Sequence, residues 1–145
     1  MSTASRPCDS WHGALRLAKG HRAAGRLRDA LSCSDRAVSA VDALLGASPL
    51  SAPLLMAKTV SHLHRAAVLD RLERTRAADR EYRSAWAFAR AVADDALQPA
   101  GLRRAACRHA RLAVAEWQGA RGPERRCLAG DVAAPDAAEA GLVVH

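Results

Sequence analysis

The residues with the widest chemical repertoire are scattered. His62 and His64 stand closest together, but at i and i+2 of a helical run they project to different sides, whereas paired metal ligands on a helix sit at i and i+4. His12, His21 and His109 fall on other segments, and Cys8, Cys33, Cys107 and Cys127 are widely spaced, with no Cys-x-x-Cys or His-Glu-x-x-His. No metal or cofactor is therefore expected. Asp94 and Asp95 are adjacent, which on a helix turns the two carboxylates roughly 100° apart, and paired acid-base chemistry requires convergence. A phosphate loop and a Gly-x-Ser-x-Gly elbow are both missing from the sequence. No catalytic residue can be nominated, and the chain is not expected to be an enzyme.

Charge carries more information. The formal net charge is +7, from 22 Lys and Arg against 15 Asp and Glu, and the only lysines are Lys19 and Lys58. Arg103, Arg104, Arg108 and Arg111 form a basic face on one stretch. Arg71, Arg74, Arg76, Arg80 and Arg83 crowd another, where Glu73, Asp79 and Glu81 interleave them. Guanidinium forks suit carboxylates and phosphates. An acidic protein segment is the first partner class this implies. Nucleic acid or an anionic membrane surface is the alternative, although no recognition-helix or RNA-binding motif is present. Ala and Arg both have GC-rich codons, so a compositional origin for part of the charge is also left open.

The elements that must position these groups are helices. The 145 residues (15.4 kDa) suit one domain; half are apolar, about a quarter are Ala, and Ile is absent, a composition that favours closely packed helices over sheet. Breakers fall at Gly20–Gly25, Gly46–Pro53 and Gln98–Gly101. Between them, helical apolar stripes run through Trp11/Leu15/Ala18, Leu27/Leu31/Val38/Val41/Leu45, Leu55/Val60/Leu63/Ala67, Ala78/Tyr82/Ala85/Ala89/Val92 and Leu102/Ala106/His109/Ala113/Trp117. The pattern predicts an all-α fold of about five helices in antiparallel pairs. Gly46 is expected to stop the second helix, and a turn is expected near Glu73–Arg76. A helical domain over 9–119 is followed by a flexible, disordered tail over 120–145. Met1–Asp9 has no apolar core of a leader, and the longest stretch without Lys or Arg, Ala37–Ala57, is broken by Gly46, Pro49 and Pro53. A cytoplasmic protein with reduced thiols is the expectation.

An offset of 48 residues lays Arg26–Ala67 on Arg74–Ala115, matching Arg26/Arg74, Arg28/Arg76, Ala30/Ala78, Ala37/Ala85, Leu54/Leu102, Ala57/Ala105 and Ala67/Ala115, and bringing the breakers into line. This points to a helix-pair unit used twice. Ala23-Ala-Gly-Arg-Leu-Arg-Asp-Ala30 with Ala37, and Ala78 with Tyr82 and Ala85, resemble the tetratricopeptide (TPR) pattern over about residues 11–117. His62-Leu-His-Arg-Ala-Ala-Val-Leu69 and Ala57-Lys-Thr-Val60 resemble the third helix of MIT (microtubule-interacting and trafficking) domains, over about residues 10–73. Where that family often carries acids for a partner's Arg or Lys, this chain has His64 and Ala67. Both resemblances imply a protein-interaction scaffold or adaptor that takes a peptide or helix into a groove between helices, and the arginines at its rim make an acidic segment the expected partner. The MIT likeness implies a groove bordering Val60, Leu63, His64 and Ala67. The TPR likeness implies a concave face made by the first helix of each pair. Trp86, which flanks the stripe of the fourth helix, is a further partner-binding candidate. Homodimerisation through the same grooves stays open.

Overall fold

In a computed structural model the backbone is described over residues 7–143 and the side chains over residues 10–122. Five helices follow one another: α1 (Pro7–Ala23), α2 (Leu27–Ala47), α3 (Ala52–Arg71), α4 (Thr75–Asp94) and α5 (Ala100–Val143), and no strand occurs among the described residues. None of the helices is long and apolar enough to cross a membrane, again among the described residues.

Local chemistry sets the ends. After α1, the Arg26 N–H donates to the His21 carbonyl (2.8 Å) and the Gly25 N–H to the Arg22 carbonyl (3.1 Å), with Gly25 at φ 77°. This is the paired bond pattern of a Schellman turn, which needs a left-handed residue past the helix end. After α3 the same pattern recurs 48 residues on. Arg74 N–H reaches the Leu69 carbonyl (2.9 Å) and Glu73 N–H the Asp70 carbonyl (2.9 Å), with Glu73 taking the left-handed place at φ 60°. The break between α3 and α4 thus lies at Leu72–Arg74, slightly earlier than the sequence suggests.

Gly46 does not stop α2. The helix runs one residue past it to Ala47 and ends at Ser48, which is extended (φ −138°, ψ 151°). Pro49 is the cause, because the ring of a proline excludes the helical conformation from the residue before it. Ser51 then opens α3, its hydroxyl accepting the Leu54 N–H, with Pro53 in the first turn, where its missing donor costs nothing. Within α5 the helical backbone is interrupted at Gly122 (φ 67°). The packed part extends beyond residue 119, since Arg121 is buried. Of the expected tail, the side chains from 123 onward lie outside the described residues.

Two layers result. Trp11 Nε1, early in α1, donates to Ser61 Oγ of α3 (2.6 Å), and Arg71 at the end of α3 donates to the Arg22 carbonyl at the end of α1 (2.8 Å), so α1 and α3 run parallel. Arg121 of α5 reaches Asp70 near the end of α3 (2.8 Å), which makes α5 parallel to them as well. α2 packs on α1 and α3, and α4 on α3 and α5, from the opposite layer. Ala30, Ala37, Ala66, Ala78, Ala85, Ala89 and Ala113 are wholly buried where helices meet. Small side chains there let the backbones approach and leave the larger Leu55, Leu63, Tyr82 and Trp117 to fill the space between.

Candidate functional site

Because α1, α3 and α5 lie side by side, their outer faces enclose a cleft of about 360 Å³. α3 forms its floor with Val60, Leu63, His64 and Ala67; α1 contributes Lys19 and Arg22; α5 contributes Leu112 and Glu116. The four α3 residues follow a helical stripe at i, i+3, i+4 and i+7, which brings them onto one face. Ala67 keeps the floor low, and Leu112 remains 42% exposed at the wall. The wall formed by α1 is held near both of its ends, by the Trp11–Ser61 bond and by Arg71 on the Arg22 carbonyl.

His64 is the most constrained polar group in the cleft. It is 7% exposed, and its Nδ1 lies 3.2 Å from Ser34 Oγ of α2. The Ser34 hydroxyl donates its own proton to the Ala30 carbonyl (2.8 Å), so at neutral pH the imidazole must be the donor through Nδ1–H. Nε2 is then a bare acceptor, and it is buried without a hydrogen-bond partner. Burial first, then the charges of Arg22 and Lys19, push the His64 pKa down to about 4.

The other predicted site residues fall elsewhere. Trp86 is half-buried on α4 between two core clusters and takes no part in the cleft. Arg103 turns away from the basic face, donating to the Ala93 carbonyl at the end of α4 (3.0 Å). Arg104, Arg108 and Arg111 are exposed, and no acid pairs with them among the described residues. Arg104 and Arg108 precede Leu112 at steps of four, so they extend the cleft-facing line of α5 as a basic rim. His62 diverges from His64 as its spacing requires, and its Nδ1 pairs with Glu81 Oε2 of α4 (2.6 Å). Burial pushes the Glu81 carboxyl up, but the hydrogen bonds and charges of His62 and Arg65 outweigh it and hold the group below its usual range. Asp94 pairs with Arg90 one turn before it (3.1 Å), and Asp95 accepts the Leu97 N–H, so the acid pair serves a helix end. No three His, Cys, Asp or Glu side chains converge as metal ligands among the described residues.

Four lining residues, Lys19, Arg22, Leu112 and Glu116, were not among the sequence candidates. The 48-residue offset held a signal for one of them, laying His64 on Leu112. The recurring turn carries the same step back to α1, where Lys19 falls on Ala67, so residues on three different helices take equivalent places. Comparison with protein-family models, curated proteins and solved structures finds no match for the chain.

Proposed function

We propose that this chain is a non-catalytic interaction module, TPR-like in architecture, that takes an acidic peptide or helix into the cleft between α1, α3 and α5. One observation carries the reading: an apolar floor and wall (Val60, Leu63, Ala67, Leu112) stand beside two cations (Lys19, Arg22), with Glu116 as the one anion in the lining. Such a surface suits apolar side chains that enter the floor with carboxylates beside them, and the arginine rim favours the same charge. The volume accommodates a few side chains rather than a folded partner. Cys33 and Cys107 are free thiols, which fits the reducing cytoplasm.

The test is a fluorescence-anisotropy titration with a labelled, end-capped peptide DDLDDLD and its neutral counterpart NNLNNLN. The acidic peptide should bind and the neutral one bind at least tenfold more weakly. Reversing both cations (Lys19→Glu with Arg22→Glu) should abolish the difference, and Ala67→Trp should block both peptides while far-UV circular dichroism stays helical. Equal binding of the two peptides sinks the reading. Arg104, Arg108 and Arg111, exposed and unpaired among the described residues, support the rival reading of a nucleic-acid surface. Tight oligonucleotide binding with a steep salt dependence, lost on Arg104→Ala with Arg108→Ala and untouched by Ala67→Trp, would establish that rival instead.

A further inference from the structure

We propose that filling the cleft with an acidic ligand is coupled to uptake of a proton by Nε2 of His64, so that the module binds acidic partners more tightly as the pH falls. The inference rests on the cleft being the docking site and adds a control to it. Its basis is geometric. Ser34 consumes its own proton on the Ala30 carbonyl and so commits His64 Nδ1–H to the Ser34 oxygen. The only nitrogen left to take a proton is Nε2, buried without a partner on a side chain that lines the cleft.

The groups facing His64 oppose that proton while the cleft is empty. From α1 come the positive charges of Lys19 and Arg22, and from α2 the Ser34 hydroxyl. From α5 come apolar Leu112 and the anion Glu116 at the opposite wall. On α3 itself, His62 is turned away to Glu81. Burial first, and then the two cations, keep the imidazole neutral well below its ordinary range. A ligand carboxylate seated against Lys19 and Arg22 offsets their repulsion and so raises the proton affinity of Nε2, while burial, the larger cause, continues to oppose the proton. Binding and protonation then favour each other by the same factor.

The size of the effect follows from linkage. A ligand that restores ordinary histidine basicity tightens binding about tenfold at pH 5.5 relative to pH 7.5, and one that stops a unit short tightens it about twofold. The experiment is the DDLDDLD titration at both pH values and constant ionic strength. It is paired with calorimetry in buffers of different ionisation heat, which counts protons taken up. The expected result is a twofold to tenfold lower Kd at pH 5.5 with fractional to full uptake of one proton. The pH ratio should collapse in His64→Gln and persist in His109→Gln, which removes the other histidine that burial and Arg108 hold below its usual range. Equal Kd values with no proton uptake, or a pH ratio that survives His64→Gln, would overturn the coupling and leave the cleft reading standing. Absence of DDLDDLD binding at both pH values would overturn both.

Discussion

Moving the free protein from pH 7 to pH 5 should destabilise it by about 2 kcal/mol through one side chain, His64. In the unfolded chain this histidine titrates near its ordinary 6.5; in the fold, burial and then Arg22 and Lys19 lower it to about 4. Between those values the unfolded state binds the proton and the native state does not, so stability falls as the pH falls through this window. With these two values the loss at pH 5 is about 2 kcal/mol relative to neutral pH, and the ceiling, reached below pH 4, is about 3 kcal/mol. Glu81 has the opposite ionic character but also loses stabilisation in acid. Its folded carboxyl is held low, so its contribution is present above the ordinary value of 4.5 and declines only below it. The interval from pH 6.5 to 5 therefore isolates the histidines.

Urea unfolding followed by circular dichroism and by the fluorescence of buried Trp11 and Trp117 reads this directly. His64→Gln should be less stable than wild type at pH 7, where it disturbs the bond to Ser34, yet should lose much less stability between pH 7 and 5. His109 contributes with the same sign because its pKa is also lowered, by burial and then Arg108, and His109→Gln separates its share. A urea midpoint that does not move between pH 7 and 5, or one that moves equally in wild type and His64→Gln, would refute the assignment of His64 as a buried neutral imidazole.

Other consequences concern the frame that holds the cleft. Arg121 is buried and bonds to Asp70 (2.8 Å), to Asp79 through Nε (2.7 Å) and to the Thr75 carbonyl (3.4 Å), so Arg121→Ala leaves two carboxylates with only neutral donors, the Tyr82 hydroxyl on Asp70 and the Trp117 N–H on Asp79; a loss of about 3 kcal/mol is expected in urea titrations, at the low end for buried pairs because those donors remain and Asp79 is partly exposed. Gly25→Ala should cost about 1 kcal/mol in the same assay for backbone reasons alone, since an added Cβ meets nothing within 4 Å. At the equivalent turn Glu73→Gly should stabilise by about 0.5 kcal/mol, the relieved left-handed cost less the extra entropy of the unfolded glycine. Ala85→Leu places extra carbon at a wholly buried contact of α4 with the core and should lower the midpoint by about 2 kcal/mol.

The helical layers were legible because their causes are local. Apolar stripes at 3.6-residue spacing mark all five helices, and the 48-residue offset marks the recurring turn even though Gly25 and Glu73 share no chemistry. What they share is a backbone conformation, which composition does not reveal at Glu73. The floor residues Val60, Leu63, His64 and Ala67 share a face by helical spacing, so their grouping follows from α3 alone. Lys19 and Leu112 needed the parallel alignment of three helices, a non-local fact. Arg103 and Trp86 lie apart from the cleft for another reason: a helical wheel assigns an angle, and a free carbonyl at a neighbouring helix end, or a gap between core clusters, decides where a long side chain actually goes. Gly46 misled because the helix continues through it and Pro49, three residues on, sets the end.

The repeat also orients whatever the cleft holds. Lys19 of α1, Ala67 of α3 and Ala115 of α5 occupy equivalent places, as do Arg16, His64 and Leu112. At these two places the frame therefore grades from cationic on α1, through the mixed floor of α3, to apolar on α5, whose charged residues Glu116, Arg104 and Arg108 fall outside them. A ligand that satisfies all three lays its carboxylates against α1 and an apolar side chain against Leu112. Two substitutions separate these ends. Leu112→Ala removes a partly exposed side chain whose coverage contributes about 1 kcal/mol, so it should weaken DDLDDLD and NNLNNLN alike by about fivefold. Lys19→Ala should weaken DDLDDLD and leave NNLNNLN unchanged, because only the acidic peptide uses that charge. If Leu112→Ala discriminated between the peptides, or Lys19→Ala did not, the gradient would have no part in binding and the polarity assigned to the ligand would be wrong.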